Sequence, residues 1–392
     1  MDVPQPDRRV KVLLDVTAVS APLSGIGRYG LELARRLPGC EGVDAVAYLR
    51  GNQVEHSFDP ELLPVPAQGG RLRQLIKPLL PYQLLLGPYR RSKARALARE
   101  LEAYNDHIFH SPNFSMPPVS GPAVVTLHDL SVFHFPEFHP RDRVNYLREQ
   151  VHHSVERAQH LVCDSLFVRD ELMALFELPA SRVTAIPLGV DAAFKPHSAQ
   201  QLAATMARYG LEAGQYLFSL GTLEPRKNLA GLLEAFSQLP VALRRRYPLV
   251  IAGACGWNYD ALLKQMRRLQ DSGELVYLDY VPEQDLPALY AGATAFCYFS
   301  FYEGFGLPVL EAMSCGVAVL CANSSALPQL CAGSALQVDP GDIEAIAAAL
   351  RKGLEDEDWR RQSALAGLER SKIFTWERSC SQLVDVFREL AP

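Results

Sequence analysis

Residues 301–316 read FYEGFGLPVLEAMSCG, and this is the most specific pattern in the chain. It follows an apolar run of the kind that forms a buried strand. Gly304 and Gly306 leave backbone N–H groups approachable, and Pro308 suits the first turn of a helix. The stretch therefore predicts a helix from Leu307 to Cys315 whose first turn faces the end of a strand. Such a helix end favours an anion, because its N–H groups are free and its dipole end is positive.

Two carboxylates flank this predicted anion site. Glu303 precedes the glycines, and Glu311 lies about one turn inside the helix. A carboxylate repels an anionic ligand, so the pair suggests a ligand with hydroxyl groups on either side of its phosphates. A nucleotide sugar has this form, with one acid for the sugar and the other for the ribose. The alternative, two acids that merely complement the helix dipole, is disfavoured by the glycines, the proline and the preceding strand.

A second stretch, Leu220–Leu229 (LGTLEPRKNL), places Arg226 and Lys227 just after a strand and at the start of a helix. Two positive charges at that point can neutralise a diphosphate, and arginine can do so with a bidentate fork. Adjacent basic residues are more commonly solvated surface charges. Their place at the carboxyl end of a strand favours the phosphate role.

The segment Ser24–Gly30 (SGIGRYG) contains G-x-G-x-x-G, the fingerprint of dinucleotide binding. In that fingerprint the first glycine lies at the strand end, and an acidic residue closes the second strand. Here several residues separate the strand from Gly25, and the second apolar run, Asp44–Arg50, ends in arginine. An arginine there still suits a phosphorylated dinucleotide. The motif alone thus leaves an NADP-dependent oxidoreductase open.

Strand-like and helix-like segments alternate along the whole chain, which predicts the α/β class with two parallel sheets covered by helices. The first set ends near residues 184–191, and a second set begins near residue 216. We expect an N-terminal domain at 1–195, a C-terminal domain at 196–372, and a C-terminal helix at 373–392 that packs back on the first domain. Ligands of such sheets bind at the carboxyl ends of the strands, so a cleft between facing halves is the expected site.

The composition excludes several classes of protein. The chain is 392 residues long, 48% hydrophobic and 21% charged, with a net charge of −5, so neither extensive disorder nor a global attraction to nucleic acid is expected. The eight cysteines are scattered without zinc spacing, which favours free thiols in a reducing compartment. The first ten residues lack an apolar signal core, and no run approaches the roughly 18 apolar residues of a membrane span. We expect a cytoplasmic protein.

One segment departs from this even charge distribution. Residues 71–99 contain eight Lys or Arg and no Asp or Glu, mixed with leucines and three prolines. A basic amphipathic stretch is typical of a membrane-surface element, here one that contacts anionic lipid at the inner face of the membrane. The alternative is a core helix with a basic solvated face, although the prolines exclude one long helix.

Taken together, these motifs resemble the retaining GT-B glycosyltransferases of family 4 along nearly the whole chain. The E-x₇-E stretch from Glu303 to Glu311 matches the hallmark of that family, and GTLEPRKN matches its phosphate-binding segment. His128-Asp129 after a strand and IPLGVD at 186–191 match as well. Within the family, SGIGRYG, HDLSVFHFPEFHP and AGACGW look most like bacterial mannosyl- and rhamnosyltransferases of O-antigen and other surface polysaccharides.

The resemblance implies roles for individual residues. Glu303 should contact the donor sugar and Glu311 the ribose, while Arg226 and Lys227 hold the diphosphate. Amides of the run Phe305, Gly306 and Leu307 should assist them, and the Gly25–Gly27 loop should face the diphosphate. His128 should lie near the transferred sugar and the leaving oxygen.

The same resemblance implies a donor, an acceptor and the absence of a metal. GDP-mannose leads as the donor, followed by GDP-rhamnose and then UDP-sugars, and the acceptor is a glycan or a polyprenyl-linked oligosaccharide. We expect no metal cofactor, because the cations and helix amides can stabilise the leaving diphosphate and no D-x-D cluster suggests a metal site, since Asp15, Asp129 and Asp164 stand alone at strand ends. Three alternatives stay open: the NADP-dependent oxidoreductase, a catalytically silent nucleotide-sugar-binding subunit, and a nucleotide-sugar epimerase.

Overall fold

The computed structural model describes residues 9–21, 23–60, 96–257 and 259–391. The predicted basic stretch falls largely outside them, since residues 71–95 are not among the described residues, and residues 96–101 are helical. The described residues form two sheets, each flanked by helices, which confirms the α/β class.

The first sheet has seven strands in the order β3-β2-β1-β4-β5-β6-β7. All neighbours are parallel except β2 and β3, which form an antiparallel edge. The strands are β1 (Val10–Asp15), β2 (Val43–Arg50), β3 (Gln53–Glu55), β4 (Ile108–Ser111), β5 (Ala123–Thr126), β6 (His160–Cys163) and β7 (Val183–Ala185). Four helices with assigned bounds belong to this half: α1 (Gly25–Arg36), α2 (Ser131–His134), α3 (Arg141–Arg157) and α4 (Leu166–Phe176).

The second sheet has six parallel strands in the order β10-β9-β8-β11-β12-β13. They are β8 (Leu217–Leu220), β9 (Leu249–Ala252), β10 (Leu275–Tyr277), β11 (Ala295–Tyr298), β12 (Val319–Ala322) and β13 (Leu336–Val338). The helices of this half are α5 (Ala199–Tyr209), α6 (Leu229–Ser237), α7 (Val241–Arg246), α8 (Asp260–Asp271), α9 (Leu286–Ala291), α10 (Leu307–Ser314), α11 (Leu327–Cys331), α12 (Ile343–Glu355) and α13 (Glu357–Ser371).

The central strands are buried on both faces, which explains why their sequences are continuous apolar runs rather than alternating ones. In β9, β11 and β12 every residue is buried. A layer of helices on each face of a parallel sheet produces this burial. The core of the second half therefore lies in the sheet itself and between the sheet and its helices.

The last helix, α14 (Trp376–Leu390), contacts the first half of the chain. Its Glu377 forms an ion pair with Arg36 of α1 at 3.0 Å, and the ring of Trp376 lies 6.2 Å from that of Tyr29. The predicted domain limits, 1–195, 196–372 and 373–392, remain predictions.

The two halves meet at Gly304. A Cβ atom on this residue would lie 1.8 Å from the carbonyl oxygen of His128, so only glycine permits this approach of the two backbones. Ser165 Oγ donates to the Gly304 carbonyl at 2.7 Å, and Leu130 N donates to Tyr302 Oη at 3.2 Å. The loops after β5, β6 and β11 thus face one another, and they enclose the expected cleft.

No helix among the described residues is long and apolar enough to cross a membrane. All eight cysteines are free thiols, and six of them are buried.

Candidate functional site

Glu303, Arg226 and Lys227 meet where two neighbouring strands of the second sheet end. The two cations lie in a short 3-10 turn (Pro225–Lys227) after β8, and Glu303 follows β11, which pairs with β8. Lys227 Nζ donates to Glu303 Oε1 at 2.7 Å, and Arg226 Nη1 lies 3.2 Å from Glu303 Oε2. The structure therefore brings three predicted site residues into one buried ion-pair cluster.

Further contacts fix the geometry of this cluster. Arg226 donates to Glu224 Oε1 at 2.7 Å and to the Tyr302 carbonyl at 2.8 Å. Lys227 Nζ also donates to Tyr298 Oη at 2.6 Å. Neither Glu224 nor Tyr298 was predicted from the sequence, although both lie close to predicted residues in the chain.

The cluster keeps Glu303 ionised. Burial alone raises the pKa of this carboxyl, but Lys227 and Arg226 outweigh burial and lower the pKa to about 2. With Glu224 included, two cations face two carboxylates, so the four side chains carry little net charge. Glu303 and Glu224 therefore balance the charge of the two cations. An anionic ligand binds the cations only by rearranging these bonds.

The backbone beside Glu303 is shaped by glycine. Gly306 has φ of +104°, a left-handed conformation that disfavours any side chain, and a Cβ atom there would lie 2.5 Å from Leu327. Helix α10 begins at the next residue, Leu307, while Phe305 is buried. The predicted run Phe305–Leu307 thus lies at the N-terminus of α10, directly after Glu303.

Glu311 occupies a separate, buried position in α10. Its Oε2 accepts a hydrogen bond from Tyr290 Oη at 2.8 Å, and burial raises the pKa of its carboxyl to about 7. Arg28 of α1 reaches across from the first half of the chain: its Nη1 lies 2.8 Å from Glu283 and 3.8 Å from Glu311. Sequence reasoning missed Arg28, although it stands in the middle of SGIGRYG.

The glycines of SGIGRYG are placed in α1 rather than in a loop before it. The sequence predicts a helix from Arg28 to Leu37, but α1 begins at Gly25, because Ser24 caps it and accepts a hydrogen bond from Gly27 N at 3.0 Å. Gly25 is exposed, and a Cβ atom on Gly27 would lie 3.0 Å from the Ala18 carbonyl oxygen. The Gly27 N–H group is therefore already bonded, as part of the helix cap.

Both ring nitrogens of His128 are engaged. Nδ1 lies 2.7 Å from Asp164 Oδ2, and Nε2 lies 2.9 Å from the Pro112 carbonyl oxygen. The Pro112 carbonyl can only accept, so Nε2 carries a proton, and an ionised Asp164 accepts a second N–H bond from Nδ1. Burial opposes the charge, but Asp164 and the Pro112 carbonyl raise the pKa of His128. His128 thus has no free nitrogen with which to accept a proton.

A cavity joins the two halves beside this cluster. Its lining includes Ile26, His128 and Asp129 from the first half and Glu224, Arg226 and Trp257 from the second. The cavity therefore brings the SGIGRYG segment, the His128–Asp129 pair and the cationic turn to one place. Within residues 9–21, 23–60, 96–257 and 259–391, no group of three or more His, Cys, Asp or Glu side chains is arranged to hold a metal ion.

The arrangement suits an anionic ligand that also carries hydroxyl groups. Buried cations and the N-terminus of α10 stabilise negative charge, and they do so more strongly than in water because the site is partly dehydrated. Ionised Glu303, before the first turn of α10, and the carboxyl group of Glu311, inside the helix, provide acceptors for hydroxyl groups.

Comparisons with known proteins agree with this geometry. The family described as Glycosyltransferase Family 4 matches residues 23–194, and the family described as Glycosyl transferases group 1 matches residues 194–369. The chain is 38% identical over 388 residues to the O-antigen chain mannosyltransferase B of Escherichia coli, covering 97% of this chain and 100% of that protein.

Solved structures support the fold. The chain superposes on Anabaena Alr3699/HepE, crystallised with UDP and glucose, with a TM-score of 0.70 at 17% identity, covering 97% of this chain and 100% of that one. It superposes equally well on WaaG, a glycosyltransferase of lipopolysaccharide biosynthesis, with a TM-score of 0.70 at 16% identity, covering 96% and 99% of the two chains.

Proposed function

The chain belongs to the family 4 glycosyltransferases and has the GT-B fold, and we propose that it transfers mannose from GDP-mannose. The acceptor is a glycan or a polyprenyl-linked oligosaccharide of a bacterial surface polysaccharide, and the anomeric configuration is retained. The observation that carries the proposal is the buried cluster of Glu303, Arg226 and Lys227 at the N-terminus of α10. The mannosyl specificity is supported by the similarity to an O-antigen mannosyltransferase over the whole chain.

In this proposal the donor exchanges bonds within the cluster. Hydroxyl groups of the sugar donate to Glu303, and Arg226 and Lys227 turn part of their charge toward the diphosphate. The amides of Phe305–Leu307 complete the phosphate site, and Glu311 accepts from the ribose hydroxyls. Because Arg28 lies beside Glu311 and Glu283, its side chain borders the ribose in this proposal.

The chemical step is a same-face displacement. The acceptor hydroxyl oxygen bonds to the anomeric carbon as the bond from that carbon to the diphosphate oxygen breaks, and the hydroxyl proton passes to the departing diphosphate. The cations and amides act where negative charge grows, which is the larger part of such catalysis. His128 contributes a fixed positive charge at the wall of the cavity, because both of its nitrogens are already bonded.

The donor assignment is tested by incubating the pure protein with a panel of nucleotide sugars and no acceptor. We expect GDP-mannose to be hydrolysed fastest, with GDP-rhamnose and UDP-sugars slower, and NADPH not to bind. Preferential hydrolysis of another donor would change the sugar while keeping the enzyme class. Release of an epimerised sugar would favour the epimerase, and binding of NADPH alone would favour the oxidoreductase.

Transfer is expected to be independent of divalent metal. The cluster already provides two cations, and the α10 N-terminus adds further positive potential, so the leaving diphosphate has partners without a metal ion. Excess chelator should therefore leave the transfer rate within about twofold of its starting value, measured by release of GDP. A large loss that magnesium or manganese restores would show that the protein cations are insufficient.

Association with membranes is a separate proposal that rests on the sequence of residues 71–99 alone. Basic residues near anionic lipid contribute about 1 kcal/mol each, so three or four of them give reversible binding. We expect sedimentation with anionic vesicles that weakens with salt and is lost when Arg90, Arg91, Lys93 and Arg95 become glutamate. The control reverses the exposed pair Arg267 and Arg268 on α8 and should bind as wild type does. No sedimentation of the wild type at low salt would refute the proposal.

A further inference from the structure

Two sequence motifs from different halves of the chain meet in the cavity beside Arg226. One is HDLSVFHFPEFHP (128–140) in the first half of the chain, and the other is AGACGW (252–257) in the second. The rings of His139 and Trp257 lie 5.7 Å apart, and both residues line the cavity. Trp257 Nε1 donates to the Phe138 carbonyl at 2.6 Å, so a hydrogen bond between the halves fixes the indole.

The hydrogen bonds around His139 determine its tautomer. Ser131 Oγ donates its only proton to Asp129 Oδ1 at 2.7 Å, so it can only accept from His139 Nε2, which lies 3.0 Å away. His139 Nε2 therefore carries the proton. Burial lowers the pKa of His139, so the ring is neutral and Nδ1 is an acceptor.

This acceptor is unused by the protein. His139 is 7% exposed, and its Nδ1 is buried without a hydrogen-bond partner among the described residues. A buried acceptor without a donor is costly, and buried polar atoms in native proteins are generally paired. A ligand in the cavity that reaches this nitrogen can pair with it only by offering a donor, such as a hydroxyl group.

The rest of the lining has the chemistry of a carbohydrate site. Asp129 and Glu224 provide carboxylates, Arg143 provides a cation, and Trp257 and Phe114 provide apolar wall. Arg143 lies over the Trp257 ring at 5.0 Å, so a charged group and an aromatic ring are in contact at the cavity. A sugar presents hydroxyl groups at its edge and C–H groups on its faces, and this lining matches both.

The position favours the acceptor over the donor. Neither Glu303 nor Glu311 lines the cavity, whereas Arg143 and Leu147 of α3 form its wall in the first half of the chain. Arg226 lies at the boundary, because it lines the cavity and also bonds to Glu303. A sugar in the cavity thus neighbours Arg226, which also contacts the carboxylate proposed to hold the donor sugar.

We propose that this cavity binds the terminal sugar of the acceptor glycan, with His139 Nδ1 accepting a hydrogen bond from one of its hydroxyl groups and Trp257 packing against its ring. The proposal rests on the proposed transferase function and adds the acceptor site to it. Asp129 and Ser131 are positioning residues, since they act by fixing the tautomer of His139.

The test uses octyl α-mannoside and its monodeoxy analogues as acceptors, with GDP-mannose as donor. For the wild type, removal of one particular hydroxyl should raise the acceptor KM about tenfold, the loss expected for one hydrogen bond to a buried group. For His139→Phe, the KM of octyl α-mannoside itself should show a similar rise over the wild type. Removal of the same hydroxyl from the acceptor should then raise the KM of this variant no further. Trp257→Ala should raise the acceptor KM at least as much, with the dissociation constant of GDP unchanged in both variants.

The matched control is His153→Phe, an exposed histidine on α3, which should behave as the wild type does. Thermal melting identifies variants that fail to fold. Arg143→Ala changes an exposed residue, so it is an additional variant that should fold, and it is expected to raise the acceptor KM.

Equal sensitivity of the wild type and His139→Phe to every deoxy position would overturn the proposal, as would a change confined to donor affinity. If GDP-mannose is hydrolysed but octyl α-mannoside is neither bound nor used, the acceptor site is refuted and the transferase assignment stands. If GDP-mannose is not hydrolysed and mannose is not transferred, the proposed function itself fails.

Discussion

Replacing Glu303 by alanine is expected to abolish sugar transfer, with kcat reduced roughly 10³-fold or more, while the protein remains folded. The proposed role of this carboxylate is to hold the sugar hydroxyls in the geometry of the transition state. Its low pKa means that it is fully ionised at neutral pH, so the alanine variant loses a charge and not only a hydrogen bond. Initial rates of mannose transfer, with GDP-mannose at saturation, measure the effect.

The same substitution, Glu303→Ala, should preserve or strengthen nucleotide binding even though it abolishes transfer. Removing Glu303 frees Lys227 and Arg226 from their shared anionic partner, so GDP should bind as tightly as to the wild type or more tightly. This combination, lost turnover with retained GDP affinity, separates a site effect from misfolding. The control is Glu234→Ala, an exposed glutamate on α6 in the same half of the chain. Near wild-type turnover in Glu303→Ala would refute the assignment of this residue.

A second variant, Glu303→Gln, addresses folding directly. Loss of one partner of a buried ion pair leaves the other charge uncompensated, which commonly costs about 3–5 kcal/mol. Glutamine keeps a side-chain oxygen near Lys227 and fills the same volume, so it should retain more stability than alanine does. If the variants differ in melting temperature but share the loss of turnover, the loss belongs to the carboxylate and not to the fold.

The parts of this molecule that sequence predicts well are those determined by neighbouring residues. The helix after Glu303 follows from local glycine and proline chemistry, and α10 extends from Leu307 to Ser314, one residue short of the prediction. The buried runs of β9 and β11 are similarly clear. By contrast, β4 (IFHS) was missed, because a buried histidine and serine interrupt its apolar pattern. Helix α1 begins before its predicted start, because the Ser24 cap includes the glycines in the first turn.

The sequence does not predict the contacts between segments that are distant along the chain. Arg28 lies beside Glu283 and Glu311, more than 250 positions away, and nothing local to SGIGRYG indicates this pairing. His128 was predicted from its place after a strand, but its protonation depends on Asp164 and the Pro112 carbonyl, which only the fold brings to it. The same holds for His139, whose tautomer is determined by Ser131. In each case the local pattern identifies the residue, and the folded chain determines its chemistry.

Replacing both Arg226 and Lys227 by alanine is expected to lower kcat/KM for GDP-mannose on the order of 10²–10⁴-fold. Each charge-assisted contact contributes roughly 1.5–3 kcal/mol, and a loss of 1.36 kcal/mol is about a factor of ten in rate. Because negative charge on the diphosphate grows as its bond to the sugar breaks, the loss should appear in kcat as well as in KM. Steady-state rates over a range of GDP-mannose concentrations separate the two.

The double variant also leaves Glu303, Glu224 and Asp129 without their cations. The dependence of stability on pH is therefore a second measurement that tests this prediction. In the wild type the depressed pKa of Glu303 contributes stability that is fully present above its ordinary pKa of 4.5 and is lost as pH falls toward about 2. Without Lys227 and Arg226, burial dominates and raises that pKa, so the double variant should be more stable at mildly acidic pH than at neutral pH.

The control is the double alanine variant of Arg267 and Arg268, an exposed adjacent pair on α8 that removes the same charge. It should retain wild-type kinetics and the wild-type dependence of melting temperature on pH. A loss in Arg226→Ala/Lys227→Ala confined to KM, with kcat unchanged, would show that the two cations bind the donor in its ground state and do not stabilise the departing diphosphate.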